Sequence, residues 1–337
     1  MISSMAPATD SHISSETIDD LMRYVVERIL TTGDCICPTK GSARELSGML
    51  LEIRNPRCRI SRTETRGKPF SCLGELCWYL SATNELSFIC YYIPAYKEYS
   101  DGSGGYGPRL FNWRGINQFE NVANILRSKP DSRQAVIQLF DGSDTMGENR
   151  DVPCTCTLQF MLRDNRLNLI VYMRSNDAYL GLPHDVFCFT MLQEIMAQRL
   201  SVNLGTYRHM VGSLHLYKRN IVEAKEFLSE GWQPTTMCMP PMPAGDPRPH
   251  ICELLEAENS IRTTGSFDHG RLNNMNPYWA DLVRVLLVFR YGREKKVEEM
   301  RELQNSMSSD VYDPYIDGMI RRKDVVGPNV WTTKRVK

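Results

Sequence analysis

Apolar residues recur at helical spacing near the start of the chain. Ile18, Leu21 and Val25 fall on one stripe, and Thr17 stands before them as a candidate helix N-cap. The pattern predicts a helix that ends at the Thr-Thr-Gly of residues 31–33. Further helical patterns cover residues 73–80, 119–126, 186–200 and a long stretch that begins at residue 276.

Strand-like runs occupy the middle of the chain. Residues 135–140, 157–163 and 167–173 are rich in β-branched and apolar side chains, and a three-residue turn separates the last two. We therefore predict a hairpin over residues 157–173. Residues 212–217 read as a shorter extended segment with polar side chains at alternate positions.

Composition changes along the chain suggest three parts. Residues 1–15 are polar and serine-rich, which predicts a flexible leader. A main domain is expected over residues 16–232. A dense proline cluster in residues 233–249 then predicts a connection to a helical extension, so that 233–337 form the third part.

Charge and hydropathy exclude several classes of protein. Lys plus Arg (40) equals Asp plus Glu (40), so no general attraction to nucleic acid or to an anionic membrane is expected. No apolar run approaches the roughly 18 residues of a membrane span. We expect a cytoplasmic protein with neither a membrane nor a nucleic acid as partner.

The cysteines favour free thiols over a disulfide framework. There are eleven, an odd number, and no secretion signal precedes them. The pairs Cys35/Cys37 and Cys154/Cys156 lack the spacing of structural zinc ligands, so no metal is expected. Most of the others read as small buried apolar residues: Cys58, Cys72, Cys77, Cys90, Cys188 and Cys252.

Three short stretches carry candidate chemistry. Cys154 follows a proline directly before a strand, and a thiol there, close to arginine, can have a lowered pKa and act as a nucleophile. Taken alone, such a cysteine is more often structural. Arg174 and Ser175 suit a phosphate, and His215 and Tyr217 share one face of an extended segment, which suits a sugar hydroxyl.

These stretches resemble the thymidylate synthase family. The motifs P-C-x-x-x-x-Q-F, R-S-x-D-x-x-L-G-L-P and H-L-Y occur in the family's order, and residues 74–80, 106–107 and 130–133 resemble its glutamate helix, Y-G turn and arginine turn. The resemblance covers roughly residues 40–220. It implies an α/β (α+β) fold with a large bent mixed sheet, helices packed on it, and a homodimer formed through the sheet.

The resemblance also implies catalytic roles. Cys154 would attack C6 of a pyrimidine nucleoside monophosphate, after which C5 attacks the methylene group of the co-substrate 5,10-methylenetetrahydrofolate. Glu75 would organise water and move protons, and Tyr106 would lie near the C5 proton. Asp177 would face the folate.

Nucleotide-binding roles follow in the same way. Arg174 and Ser175 would hold the 5′-phosphate, and Arg133 would reach the phosphate site of the other subunit. His215 and Tyr217 would hold the sugar. This leaves open whether the sugar is ribose or deoxyribose.

One part of the family's phosphate site is altered. Residues 39–44 replace its R-T-G-T loop, so either Lys40 or Arg44 could serve there. Gln134 replaces the second arginine of its arginine pair.

Other departures point to the base. Where synthases carry an aromatic residue and then asparagine, this chain has His184 and Asp185. A carboxylate matches the N4 amino group and a protonated N3 of cytosine. Thr155 and Ser213 also depart from the synthase pattern. All these changes resemble the phage deoxycytidylate hydroxymethylases and the cytidylate hydroxymethylases of nucleoside-antibiotic pathways.

The last departures concern the product. Tyr96 and Tyr99 stand where synthases usually carry tryptophans that cover the folate and the exocyclic methylene, and residues 331–337 replace the short apolar terminus. A less covered methylene can be attacked by water, so we expect hydroxymethylation of CMP or dCMP. Two alternatives stay open: a methylating synthase acting on dUMP or (d)CMP, and a non-catalytic nucleotide-binding regulator.

Overall fold

The computed structural model describes residues 10–146 and 151–324, and a single seven-stranded sheet organises them. Its strands are β1 (His12–Ser15), β2 (Asp34–Ile36), β3 (Ala43–Ile53), β4 (Val136–Gln138), β5 (Thr155–Arg163), β6 (Arg166–Asp177) and β7 (Asn203–Tyr217). The order across the sheet is β1-β3-β7-β6-β5-β4, with β2 paired to β3. The sheet is mixed, because β1 with β3 and β6 with β7 are parallel while the other pairs are antiparallel.

Thirteen α-helices occur within the described residues. They are α1 (Ile18–Thr32), α2 (Pro69–Leu80), α3 (Leu86–Tyr92), α4 (Tyr96–Tyr99), α5 (Tyr106–Phe111), α6 (Gln118–Ser128), α7 (Leu182–Leu200), α8 (Ile221–Ser229), α9 (Arg248–Thr264), α10 (His269–Asn274), α11 (Pro277–Glu294), α12 (Val297–Asn305) and α13 (Asp313–Asp324). This mixed α/β architecture confirms the predicted fold class.

Several predicted elements are confirmed, with shifted ends. Helix α1 has Thr17 as its N-cap, which accepts from the N–H of Asp20 at 3.1 Å, and its apolar stripe is buried. Strands β5 and β6 form the predicted hairpin, whose turn residues Asp164 and Asn165 both have positive φ. Helix α7 is buried nearly all round, because it lies between the sheet and α2.

The N-terminal strands depart from the predictions. Residues 1–15 were expected to be a flexible leader, but His12–Ser15 form β1 and pair in parallel with β3. Ile13 and Ser15 are buried there, which ties this segment to the core. Strand β3 was missed altogether, and the short segment predicted at 212–217 is the end of the fifteen-residue strand β7. Residues 1–9 lie outside the described ranges.

The C-terminal helices pack against α2, the helix that carries Glu75. Helix α11 contacts both α2 and α9, and Tyr92 donates to Glu258 of α9 at 2.9 Å. Residues 231–247 contain no helix or strand, as the proline cluster predicted. The domain boundary at residue 232 stays a prediction.

The cysteine prediction needs correction. Cys58 and Cys238 form a disulfide. The two cysteines meet because the proline-rich segment lies beside the turn that follows β3. There the N–H of Met239 donates to the carbonyl of Arg57 at 3.0 Å. The other nine cysteines are free, but Cys252 is exposed and Cys90 only half-buried, so neither is a core residue as expected.

One face of the sheet presents apolar side chains that the described residues leave partly exposed. Val136, Tyr172 and Met210 lie on β4, β6 and β7 and are each about two-fifths exposed (41%, 40% and 43%). The helices α1 and α7 pack on the other face. No helix within residues 10–146 and 151–324 is long and apolar enough to cross a membrane.

Candidate active site

Glu75 is the centre of a buried hydrogen-bond network. It lies on α2, which α7 and α11 enclose. Its Oε1 accepts from the hydroxyl of Tyr79 at 2.9 Å and from that of Tyr96 at 2.7 Å, and its Oε2 lies 2.8 Å from Nδ1 of His184. Three elements, α2, α4 and α7, therefore converge on one carboxylate.

The electrostatics of this network favour charge on both members of the Glu75–His184 pair. Burial alone would raise the pKa of Glu75. The net effect is a lowered pKa, because His184 contributes a hydrogen bond and a positive charge and because Tyr96 and Tyr79 donate further hydrogen bonds. Burial also opposes the charge of His184, while the facing Cys72 and Glu75 raise the pKa of His184 to about 10. At neutral pH the pair is a carboxylate and an imidazolium.

Asp185, the predicted base-reading residue, lies in the first turn of α7. Its Oδ2 accepts a 2.6 Å hydrogen bond from Nδ2 of Asn176 on β6. Burial and the charge of Glu75 raise the pKa of Asp185 to about 8, against the effect of Asn176. Below that pH the carboxyl group carries a proton, so it can donate one hydrogen bond as well as accept others.

Cys154 precedes β5, with the guanidinium of Arg174 beside it. Nη2 of Arg174 lies 3.8 Å from the sulfur, and the same side chain donates to the carbonyls of Pro153 (2.9 Å) and Val152 (2.8 Å). Burial raises the pKa of the Cys154 thiol, and the charge of Arg174 only partly opposes this. The expected lowered pKa is therefore wrong for the free protein, because enclosure outweighs the nearby cation.

Tyr106 connects the thiol region with the Glu75 network. Its hydroxyl oxygen accepts from the backbone N–H of Thr155 at 3.1 Å and from the hydroxyl of Thr155 at 3.0 Å. Its ring lies 5.2 Å from that of Tyr79, centroid to centroid, and Tyr79 donates to Glu75. Tyr106 thus lies between Thr155, which follows Cys154, and Tyr79, which bonds Glu75.

His215 and Tyr217 lie at the end of β7, next to Asp177 at the end of β6. Asp177 and His215 are opposite each other in the parallel register, and the rings of His215 and Tyr217 meet edge to face at 4.8 Å. Oδ1 of Asp177 accepts from the N–H groups of Tyr179 and Leu180. The structure therefore places Asp177, one of the predicted folate-facing residues, beside the predicted sugar-binding residues His215 and Tyr217.

The two candidate phosphate cations differ in their surroundings. Arg44 donates from Nε and Nη2 to the carbonyl of Gly33, at 3.2 and 3.0 Å. Lys40 is exposed, and its ammonium lies 5.2 Å from the ring centre of the exposed Tyr99. The charge of Lys40 acts on Cys154, whereas the guanidinium of Arg44, on β3, is directed to the C-terminal end of α1.

Arg133 is the predicted residue that the single chain does not bring to the site. Its carbonyl accepts from Gln159 at 3.1 Å, five residues along β5 from Cys154. At about 3.3 Å per residue this is roughly 17 Å from the thiol. Arg133 is exposed there. Ser175, in contrast, lies on β6 directly after Arg174.

Sequence reasoning assigned no role to Tyr79, Asn176 or Arg219. Tyr79 could have been found, because it lies four residues after Glu75 on a predicted helix and so shares its face. Arg219 donates to the carbonyl of Lys40 at 2.9 Å and lies 4.3 Å from the ring centre of Tyr217. Nothing in the pattern around Asn176 or Arg219 indicates these long-range contacts.

Within the described ranges no group of three or more His, Cys, Asp or Glu side chains is arranged to hold a metal ion. The carboxyl groups of Glu75 and Asp185 accept hydrogen bonds from protein donors.

Comparison with known proteins places this site in a recognised family segment. The sequence model of the thymidylate synthase family matches residues 62–242, more than half of the chain. A deoxyuridylate hydroxymethyltransferase of Bacillus phage SP01 is 28% identical over 211 residues. That alignment covers 57% of this chain and 55% of the phage protein, so the chain spans about half the length of this relative.

Proposed function

Because the chain belongs to the thymidylate synthase family, we propose that it is a one-carbon transferase that hydroxymethylates C5 of CMP or dCMP. The co-substrates are 5,10-methylenetetrahydrofolate and water. The phage relative, a hydroxymethyltransferase by name, supports this branch of the family. The site geometry supports each step as follows.

Cys154 is the proposed nucleophile. Its sulfur adds to C6 of the base, which places electron density on C5 for attack on the methylene carbon that the folate supplies. In the free protein Cys154 is held as a thiol, so nucleotide binding has to favour the thiolate. Arg174, 3.8 Å away, can stabilise that anion while its remaining donors face the phosphate with Ser175.

Asp185 and Asn176 together are proposed to select cytosine. A neutral carboxyl group can donate to N3 of cytosine and accept from its N4 amino group, so the raised pKa of Asp185 provides the proton that this pairing needs. Asn176 fixes Oδ2 as an acceptor, which leaves Oδ1 as the oxygen that can carry the proton. The orientation of the carboxyl group is thereby set before the base binds.

The assignment of a hydroxymethyl product rests mainly on the hydrogen bond that Tyr96 donates to Glu75. Tyr96 occupies a position where synthases usually place a tryptophan, and here it donates to the carboxylate at 2.7 Å. The charged carboxylate of Glu75 and the hydroxyl groups that bond it make this surface polar, which favours a bound water molecule beside the exocyclic methylene of the nucleotide. Glu75 can accept the proton of that water as the new C–O bond forms.

The region beside Asp177 fits the folate. Oδ1 of Asp177 accepts two backbone N–H bonds, and its Oδ2 has no partner among the described residues, so it can accept from a ring N–H of a pterin. The side chain of Leu180, 40% exposed, offers apolar surface beside Asp177, and the exposed ring of Tyr99 is proposed to add to it.

A homodimer is proposed to complete the site. Arg133 lies too far from Cys154 to reach a phosphate bound in its own chain, whereas the resemblance assigns it to the partner's phosphate site. The exposed Tyr172 and Met210 on the sheet face provide apolar area for such an interface. Sedimentation analysis should show a dimer, and Tyr172→Glu should shift it toward the monomer.

A second candidate is the same reaction on deoxyuridylate, which the name of the phage relative favours. Turnover of CMP, dCMP, UMP and dUMP with labelled methylenetetrahydrofolate, followed by mass spectrometry of the nucleotides, separates the two. The proposal expects a 5-hydroxymethyl product from a cytosine nucleotide. A product from dUMP alone would favour the second candidate, and no turnover of any of the four would favour a non-catalytic regulator.

A further inference from the structure

His184 has both of its ring nitrogens directed at α2. Nδ1 lies 2.8 Å from Oε2 of Glu75, and Nε2 lies 3.4 Å from the hydroxyl of Ser71. Ser71 and Glu75 are one helical turn apart, so the ring spans two positions on the same face of α2. The side chains of His184 and Glu75 are only 14% and 5% exposed.

Hydrogen bonds from protein groups fill most of the acceptor capacity of Glu75. A carboxylate offers about four lone pairs. Tyr79 and Tyr96 both donate to Oε1, and His184 donates to Oε2. Among the described residues this leaves one acceptor position, on the same oxygen that His184 contacts. The hydrogen bond from His184 therefore sets the direction in which the remaining lone pair of Oε2 points.

We infer that His184 is the positioning residue of Glu75: it aims Oε2 and keeps the carboxylate ionised so that it can take a proton from the attacking water. This inference rests on the proposed function. In that step the water oxygen bonds to the exocyclic methylene carbon, and its proton passes to Glu75. The electron pair released into the ring re-forms the C5–C6 double bond as the Cys154 sulfur leaves.

The groups around His184 explain why this pair holds its charges. Glu75 and Cys72 face the ring from α2, Asp185 follows it on α7, and Tyr96 approaches from α4. Tyr96 and Asp185 are neutral at neutral pH, since burial raises the pKa of both. The counter-charge for Glu75 is therefore the imidazolium of His184.

Two substitutions separate charge from hydrogen bonding. His184→Phe removes both, and Phe is of the residue class that synthases carry at this position. His184→Asn keeps an N–H donor near the place of Nδ1 but carries no charge. We expect His184→Phe to lower kcat by about tenfold to a hundredfold. The acidic limb of the pH profile of kcat/KM, which reports the pKa of Glu75, should move up by about one unit. The nucleotide Kd should change by less than about twofold.

The kcat of His184→Asn should be higher than that of His184→Phe, but the acidic limb of its kcat/KM profile should stay at a higher pH than in the unmodified protein. His250→Asn is the matched control, because His250 also faces a glutamate, Glu253 at 3.3 Å, but on the surface. It should change neither the limb nor kcat. An acidic limb that stays in place in His184→Phe would overturn the inference.

A measurement independent of turnover separates this inference from the proposed function. The chain has six histidines, and in protein labelled at histidine the NMR signal of His184 is the one that His184→Asn removes. Its pKa should lie well above the ordinary value of about 6.5 and should fall in Glu75→Gln. Titration near 6.5 in both proteins would overturn the inference, whatever the product. A raised pKa that falls in Glu75→Gln, together with a methyl product, would support the pairing and reject the proposed function.

Discussion

The nucleophile region and the Glu75 region of the site differ in how far the free protein prepares them. Cys154 is a neutral thiol beside a cation that is bonded to two backbone carbonyls. Glu75, in contrast, is ionised and held by three donors from three helices. In the proposed mechanism, this difference means that the fold preorganises proton transfer by Glu75, whereas Cys154 becomes a thiolate only when the nucleotide binds.

Replacing Cys154, the proposed nucleophile, should have the largest effect. Cys154→Ala should abolish turnover and the covalent nucleotide adduct, which mass spectrometry of the intact protein detects. Cys156→Ala is the matched control and should keep most of the activity, since Cys156 lies at a register shift in β5 and its carbonyl bonds the N–H groups of Leu139 and Phe140. Equal loss in both variants would remove the assignment of Cys154.

Base selection should change by a smaller factor. Asp185→Asn should shift the cytosine-to-uracil ratio of kcat/KM toward uracil by roughly tenfold, because the amide can donate a hydrogen bond to N3 of cytosine but cannot transfer a proton to it, whereas uracil already carries a proton on N3. Competition between dCMP and dUMP in one reaction measures the ratio directly. An unchanged ratio would exclude Asp185 as the base-reading residue.

Asn176→Ala tests the orientation of the same carboxyl group. Without the 2.6 Å bond from Asn176, the two oxygens of Asp185 are free to exchange roles. The ratio should move in the same direction as in Asp185→Asn, but by less. A ratio that moves further toward cytosine would contradict the orienting role.

The phosphate loop should show the smallest effect. Lys40→Ala should raise the nucleotide KM by roughly fivefold, equivalent to about 1 kcal/mol for one exposed cation. Arg44→Ala should leave KM nearly unchanged and instead lower the melting temperature, because Arg44 bonds the carbonyl of Gly33. The reverse result would show that Arg44 binds the phosphate.

The sequence predicted the grouping of Cys154 with Arg174 better than the surroundings of Glu75, for a physical reason. Cys154, Arg174 and Ser175 lie on adjacent ends of a hairpin, so local motifs place them together. The contact between His184 and Glu75 joins residues 109 apart in the chain, and no local pattern encodes it. The pKa of Cys154 was mispredicted because a sequence shows the neighbouring arginine but not the degree of burial.

The same limit applied to the fold. Helix α1 was predicted with its cap because period and cap residue are local signals. Strands β1 and β3 were missed because each depends on pairing with a distant partner, and β1 is short and polar. The disulfide between Cys58 and Cys238 likewise joins distant segments.

The origin of the new oxygen atom tests the central claim most directly. The enzyme would be incubated with dCMP or CMP, methylenetetrahydrofolate and ¹⁸O-labelled water, with product mass and dihydrofolate absorbance followed together. Hydroxymethylation predicts one labelled oxygen in a 5-hydroxymethyl nucleotide and no dihydrofolate. A 5-methyl product formed with stoichiometric dihydrofolate would contradict it and show that hydride, not water, reaches the methylene.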